Sequence, residues 1–273
     1  MPRALDHIVI PSADLDAQAE LFRRLGFQVG ARNRHPWGTE NHIVQFDGAF
    51  LELISLGDGF VAPEPAPKEY SFALAVEQFL AQREGLAMLV MRSDDAEADR
   101  REFLRNGLGD FSRFYFAREG RRPNGSVVTV AFSLAFAASP AFPSIGFFVC
   151  QQHYPENFWS RPAQIHPNGA SGVAGVRFEH PRPEEGLDFL AKFFAAPADR
   201  KGAGYVFALQ DEIVAEVGEG PAPSLTTLRI RVADLAATER RLAENGVPFN
   251  AQRGRLEVAA GDAMGVELVF AGN

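Results

Sequence analysis

The sequence contains a single cysteine, Cys150, among 273 residues. One thiol cannot form an internal disulfide or a cysteine-based zinc site, so the fold must be stable without covalent cross-links. Chains without disulfides are typical of reducing compartments. We therefore expect a cytoplasmic protein.

Long apolar runs are also missing. The longest covers residues 127–138, about a dozen positions, whereas a helix that crosses a bilayer needs about 20. The first residues lack both the length and the cleavage site of a signal peptide. The sequence therefore predicts no membrane segment and no export, and residues 127–138 are predicted to form a buried strand.

An excess of positive charge is absent as well. Lysine and arginine number 27 against 35 aspartate and glutamate residues, and the formal net charge is −8. Nucleic-acid binding needs clustered basic residues and is excluded as a main function. No phosphate-binding loop, complete dinucleotide fingerprint or serine-nucleophile motif occurs, which argues against nucleotide hydrolysis and serine esterase chemistry.

What the sequence does contain is a repeated pattern. Residues 5–11 alternate like a strand, Asp14 is suited to cap a helix, and Gly26 is suited to end it. Three more strand-like runs follow, and Asp47-Gly48 between the last two is a strong hairpin signal. This order predicts a βαβββ module.

The same order of patterns begins again near residues 86, 173 and 225. Four copies fit the chain length, and the predicted fold class is α+β with four tandem βαβββ modules. A glycine- and proline-rich linker and a covering helix at 71–83 separate the first two copies. The connection at 154–172 predicts a boundary between a domain at 1–155 and a domain at 170–273.

The chemistry-bearing residues of the first module are His7 and Glu52. His7 lies in the middle of the first predicted strand and Glu52 in the middle of the last, among apolar neighbours. A buried carboxylate needs a cation, a histidine or an arginine beside it. A divalent metal would pair both residues, whereas an isolated buried histidine is more often a hydrogen-bonded core residue.

The first module resembles the vicinal oxygen chelate superfamily, specifically glyoxalase-like proteins. The resemblance rests on LDHIVI at 5–10, HPWGTENH at 35–42 and FLELI at 50–54. It implies that paired modules curl into cup-shaped mixed sheets, here two barrels, with a metal held by His7 and Glu52. In this superfamily the metal chelates two adjacent substrate oxygens, which implies a lyase, isomerase or dioxygenase.

The second module departs from that pattern, because Met88 stands where the first module has His7. The counterpart of Glu52 falls near 150–153, and a one-residue shift exchanges the two faces of a strand. One register points Gln151 and His153 into the cup, and the other points Cys150 and Gln152. In the first register His153 completes two histidines and one carboxylate, a set that suits iron or manganese, with zinc or nickel as alternatives.

The predicted site therefore has His7, Glu52 and His153 as metal ligands and Glu52 as the catalytic carboxylate. The residues predicted to contact the substrate are His35, Trp37, Asn41 and Gln151. Because the chain has 24 phenylalanines, we expect some to line the cup and to favour an aromatic or apolar small molecule.

Two alternatives stay open at this stage. A binding protein of the same fold could sequester a small molecule without turnover, and the loss of a ligand at Met88 favours it. Modules three and four offer Glu216 and Glu267 without imidazole partners, so the second pair of modules is expected to give support, substrate closure or a homodimer contact.

Overall fold

The computed structural model describes residues 1–121 and 125–272. These residues form two mixed sheets of eight strands each, and every sheet is built from two βαβββ modules. The predicted α+β class and the two cup-shaped sheets of tandem modules are confirmed.

The first module follows the predicted order. Its elements are β1 (Leu5–Pro11), α1 (Leu15–Arg24), β2 (Asn33–Arg34), β3 (Thr39–Gln45) and β4 (Phe50–Leu56). Asp14 caps α1, because its side chain accepts a hydrogen bond from the Ala17 N–H at 2.9 Å. Gly26 follows the helix with φ +85°, a left-handed conformation that glycine adopts without strain.

The second module is preceded by the covering helix α2 (Phe72–Leu80), which Ser71 caps. The module and its exit helix comprise β5 (Met88–Arg92), α3 (Ala96–Arg105), β6 (Phe114–Arg121), β7 (Val127–Ala137), β8 (Gly146–Gln152) and the short α4 (Pro155–Phe158). The apolar run at 127–138 is thus mainly strand β7, as predicted.

Modules three and four repeat this arrangement in the second sheet. Module three comprises β9 (Ala170–His180), α5 (Leu187–Phe194), β10 (Asp199–Lys201), β11 (Gly204–Ala208) and β12 (Val214–Glu219). Module four comprises β13 (Ser224–Val232), α6 (Leu235–Glu244), β14 (Asn250–Gln252), β15 (Arg255–Val258) and β16 (Glu267–Gly272). Short 3₁₀ turns lie at Arg161–Gln164, Pro183–Gly186, Gln210–Glu212 and Ala260–Asp262.

In the part of the chain that the structure describes, no helix has the length and apolar character needed to span a membrane.

Both sheets have the same topology. In the first, the order is β2-β3-β4-β1-β5-β8-β7-β6, and the second has the corresponding order β10-β11-β12-β9-β13-β16-β15-β14. The first strand of each module pairs in parallel with its last strand, and the first strands of paired modules meet antiparallel at the centre. Residues from the first and last strands of module one are therefore neighbours in the middle of the first cup.

Strand β1 carries an irregularity at the centre of the first sheet. Leu5 pairs with Met91 and His7 pairs with Val90, so two steps along β1 match one step along β5. The extra residue is Asp6, as in a β-bulge. The bulge breaks the alternation of faces and lets the Asp6 carboxylate reach the side chain of its own neighbour, His7.

The apolar residues form two clusters. One lies on the concave side of the first sheet, where α2 covers Val9, Ile54 and Met88. The other lies on the helix side and contains residues of both sheets. Phe147 of β8 is central to it, with its ring centroid 6.1 Å from that of Phe178 and 5.2 Å from that of Phe193. The two halves of the chain therefore share one core, and the division at 155–170 stays a prediction about chain organisation.

Candidate functional site

The concave face of the first sheet encloses a narrow cavity. The cavity volume open to water-sized molecules is about 40 Å³. This volume holds an ion and a few small groups of atoms, but a larger ligand would need the cavity to widen. Its polar lining consists of His7, His35, Asn41, Glu52, Arg118 and Cys150, and most of the rest is aromatic.

Glu52 lies at the centre of this cavity and is 5% exposed. Its Oε1 accepts a hydrogen bond from Asn41 Nδ2 at 2.5 Å and lies 3.6 Å from His35 Nε2. Its Oε2 lies 3.8 Å from His7 Nε2. The structure thus brings together four of the predicted site residues, with one imidazole beside each carboxylate oxygen.

The two imidazoles are held in matching orientations. His7 Nδ1 lies 2.6 Å from Asp6 Oδ1, and His35 Nδ1 lies 2.7 Å from Thr39 Oγ1. Each ring is also stacked on an aromatic side chain, His7 on Phe50 and His35 on Trp37. Both Nε2 atoms are therefore directed toward Glu52.

Burial controls the protonation of two groups in the cavity. It lowers the pKa of His35 to about 4, against the opposing influence of Glu52. The imidazole is neutral at pH 7 and keeps a lone pair for an ion or a proton. Burial also raises the pKa of the Cys150 thiol well above its ordinary value, so Cys150 is protonated and is a poor nucleophile at neutral pH.

The second module contributes apolar side chains where the first contributes ligands. Val9, two residues after His7, pairs with Glu52, and Val90, two residues after Met88, pairs with Phe148. The counterpart of Glu52 is therefore Phe148, which lies outside the range 150–153 expected from the sequence. Within residues 1–121 and 125–272, the central strands of module two place no imidazole or carboxylate in the cavity.

Strand β8 follows the second of the two registers left open above. Cys150 lines the cavity, and Gln152 donates from Nε2 to Asp6 Oδ2 at 2.9 Å. Gln151 lies on the opposite face, where it bonds the backbone of Asp94 at 2.8 Å.

His153 follows β8 and is exposed, and its Nε2 lies 2.8 Å from Ser133 Oγ. The structure does not bring His153 or Gln151 to Glu52, because both lie on the face of the strand that the cup does not use.

Three residues of the site were not singled out in the sequence. Asp6 reaches His7 only through the bulge, and Phe158 reaches the cavity from α4. Arg118 follows Phe114 and Phe116 at a spacing of two along β6, and this alternation was a usable signal for a shared face.

One further group of ligand atoms lies beside the cavity. In the described part of the chain, Asp6, His7 and Cys150 each offer an atom within 4.8 Å of the others. This group uses the side of His7 that faces Asp6, whereas Glu52 faces the other ring nitrogen.

The second cup has a different character. Arg229 donates to both oxygens of Glu216 at 2.6 Å, and Thr227 donates to Glu267 at 2.5 Å. Glu216 is therefore paired with a guanidinium and Glu267 with a hydroxyl.

Comparison with known proteins identifies the fold of this site. The profile of the glyoxalase-like domain family matches residues 5–194. No curated protein is similar enough in sequence to count as a match.

Solved structures share the fold at low sequence identity. A hypothetical protein from Staphylococcus aureus has a TM-score of 0.73 at 12% identity, over 99% of both chains. A mutant of 4-hydroxymandelate synthase from Streptomyces coelicolor has a TM-score of 0.63 at 13% identity, over 99% of this chain and 92% of that one. A fusion protein of a xylose isomerase-like TIM barrel and 4-hydroxyphenylpyruvate dioxygenase has a TM-score of 0.62 at 14% identity, over 100% of this chain and 49% of that one.

Proposed function

The chain belongs to the glyoxalase-like domain family, and on that premise we propose that it is a metal-dependent enzyme acting on a small organic molecule in the first cup. The proposed ligands are His7, His35 and Glu52. The observation that carries the proposal is that two imidazole Nε2 atoms lie within 3.8 Å of the two oxygens of one buried carboxylate.

The donor atoms fit a divalent ion in number and chemistry, and each imidazole lies at a suitable distance from one oxygen of Glu52. Nitrogen and oxygen ligands that each lie about 2.0–2.2 Å from a metal are separated by about 3–4 Å, and the separations of 3.6 and 3.8 Å fall in that range. The Nδ1 partners of His7 and His35 are of the kind that orient metal-bound imidazoles. Two histidines and one carboxylate suit iron or manganese and also accept zinc or nickel.

In this proposal the third metal ligand is His35, and not His153 as predicted from the sequence. We favour the Glu52 set over the group of Asp6, His7 and Cys150, because it combines two imidazoles with a carboxylate and contains no thiol sulfur.

A bound ion would act as a Lewis acid toward two neighbouring oxygens of the ligand. The chain itself supplies the rest of the chemistry. Among the described residues, Glu52 is the carboxylate that lines the cavity and is the proposed proton acceptor, while Asn41 holds its Oε1 in place. The aromatic lining excludes water and favours an apolar or aromatic substrate.

Metal analysis of the purified protein tests this proposal. We expect about one divalent ion per chain, retained on dialysis and lost in His7→Ala, His35→Ala and Glu52→Gln. His153→Ala is the matched control and should keep the ion. Loss of the ion in His153→Ala but not in His35→Ala would show that His153, and not His35, is the third ligand. A wild-type chain that never retains a metal would contradict the proposed metal dependence.

A second candidate function is ligand binding without turnover. Met88 and Phe148 favour it, because both ligand positions of module two are apolar and buried. In that case the metal-free protein would bind small aromatic molecules as tightly as the metal-treated protein, and Glu52→Gln would change affinity without abolishing any reaction.

A further inference from the structure

The wall of the first cup contains two buried N–H groups that have no acceptor among residues 1–121 and 125–272. They are Arg118 Nε and Trp37 Nε1, and both side chains line the cavity. Buried donors are nearly always hydrogen-bonded in folded proteins. Two unsatisfied donors in one cavity wall therefore indicate that an acceptor is supplied from outside the chain.

Arg118 is held in place by groups that leave its charge uncompensated. Its Nη1 donates to Asn33 Oδ1 at 3.3 Å and to the Glu119 carbonyl at 3.2 Å, both neutral oxygens. Among residues 1–121 and 125–272, no carboxylate lies within ion-pair distance of its guanidinium, although Glu52 is near enough to influence it electrostatically.

The arginines of the second cup differ on this point. Arg229 has both terminal nitrogens on Glu216, and Arg177 also lies within 3.9 Å of that carboxylate. The contrast shows that the fold can neutralise a cup arginine with its own carboxylate, and that it does not do so at Arg118.

Trp37 brings the second donor to the same part of the wall. Its ring stacks on His35 at 4.5 Å and meets Phe116 edge-on at 4.7 Å, and Phe116 precedes Arg118 by two residues on the same face of β6. Both donors thus lie beside His35 and next to a group of aromatic rings.

We propose that Arg118 and Trp37 bind a carboxylate group of the substrate, whose apolar body lies against the surrounding aromatic rings. Arg118 is then the residue that determines specificity for an anionic substrate. The inference rests on the proposed small-molecule function of the first cup, but it does not require that the substrate carboxylate bind the metal. A guanidinium and an indole N–H are both donors only, so they exclude an ammonium group, and the charged guanidinium favours a carboxylate with two anionic oxygens over a neutral amide with one acceptor oxygen.

Binding of benzoate and benzamide, measured by calorimetry, tests the proposal, because the two molecules have nearly the same shape and differ in charge. We expect the wild-type chain to bind benzoate at least about 10-fold more tightly than benzamide. Arg118→Met should weaken benzoate binding by about 10- to 100-fold and benzamide binding by less than about 3-fold. Trp37→Phe keeps an aromatic ring but removes the N–H donor. It should weaken benzoate binding by a smaller factor than Arg118→Met does.

Arg113→Met is the matched control, because Arg113 is an exposed arginine near the start of the same strand. It should keep the preference for benzoate, and retained benzamide binding shows that each variant is folded. The measurements are made before and after metal removal. A failure of the proposed metal site is then distinguished from a failure of Arg118 to select the charged ligand. The inference would be overturned if the wild-type chain bound both ligands equally or bound neither. It would also be overturned if the preference for benzoate survived Arg118→Met, or if only substitutions of His7 and Glu52 abolished that preference.

Discussion

At the scale of single residues, the orientation of His7 depends on Asp6. Asp6 is fully buried, accepts from Gln152, and lies 2.6 Å from His7 Nδ1. A carboxylate in this position fixes the tautomer of a metal-bound imidazole and increases its basicity. Gln152 of β8 holds Asp6, and Asp6 in turn orients His7 so that its Nε2 faces Glu52.

We predict that Asp6→Asn lowers the affinity for a divalent ion by about 10- to 100-fold. The amide keeps the size of the side chain but loses the charge that favours the required tautomer of His7. Competition with a chelator of known affinity measures the effect. Asp47→Asn is the control, since Asp47 is exposed near the same edge, and an equal loss in this variant would mean that only the net charge matters.

At the scale of secondary-structure elements, α2 is the lid of the first cup. Its Phe72, Val76 and Phe79 side chains are buried against the concave face, and Phe72 also lines the cavity. Arg83, just after the helix, lies over the Phe79 ring at 4.4 Å. The helix therefore stabilises the cup and shapes the site at the same time.

We predict that Phe79→Ala destabilises the protein by about 3–5 kcal/mol, the usual cost of removing a buried phenylalanine ring. The substitution leaves a cavity under α2 and removes the ring beneath Arg83. Urea unfolding gives the change in free energy. The neighbouring exposed residue offers a control, and Gln78→Ala should change the stability by less than about 0.5 kcal/mol. A similar loss in both variants would show that the packing of the Phe79 ring is not the cause, since alanine itself favours the helix.

The second cup has a pH-dependent ion pair between Glu216 of β12 and Arg229 of β13, two strands that lie on either side of β9. Burial alone would raise the pKa of Glu216, but hydrogen bonds from Arg229 and the charge of Arg177 outweigh burial, so the pKa lies below its ordinary value of 4.5. A group whose pKa is lowered by folding adds stability above its unfolded pKa and loses it as pH falls through the folded value.

We therefore predict that Glu216→Gln lowers the melting temperature at pH 7 and that the difference from wild type shrinks as pH falls below 4.5. Thermal unfolding followed by circular dichroism at several pH values measures this. Glu219→Gln, an exposed position on the same strand, should show little difference at any pH. A constant difference for Glu216→Gln down to low pH would contradict the ionic explanation.

The sequence predicted elements better than it predicted the site. Strand periodicity, the cap at Asp14 and the Asp47-Gly48 turn are local signals, so the modules and their order could be predicted directly. The closeness of the His7 and Glu52 side chains also follows from the parallel pairing of β1 with β4. The face of β8 could not be predicted, because the choice depends on register with β5 and β7, and the reach of Asp6 depends on a bulge that leaves no mark in the sequence.

At the scale of the whole molecule, the two sheets are joined through their helix-side faces. Phe27 meets Phe270 at 6.0 Å across this contact, and Phe147 meets rings of α5 and β9. His166, in the connection between the halves, bonds both Gln28 and Gln45 of module one. We infer that the halves unfold together.

We predict one cooperative thermal transition for the full chain, and we predict that Phe147→Ala lowers its free energy of unfolding by about 3–5 kcal/mol without splitting it. The ring contacts both halves, so its loss weakens both at once. Differential scanning calorimetry measures the number and position of transitions, and Phe147→Leu should cost less. Two separate thermal transitions, of which Phe147→Ala shifts only one, would instead support two independently folding domains at 1–155 and 170–273.

The narrowness of the first cup has a consequence for how fast it can be filled. With only about 40 Å³ open to water-sized molecules and aromatic rings in most of the lining, a benzene-sized guest fits only after some of these rings have moved. Entry is then gated by side-chain rearrangement, and diffusion sets only an upper limit on the rate. The same gate keeps a guest inside for longer once the rings have closed behind it.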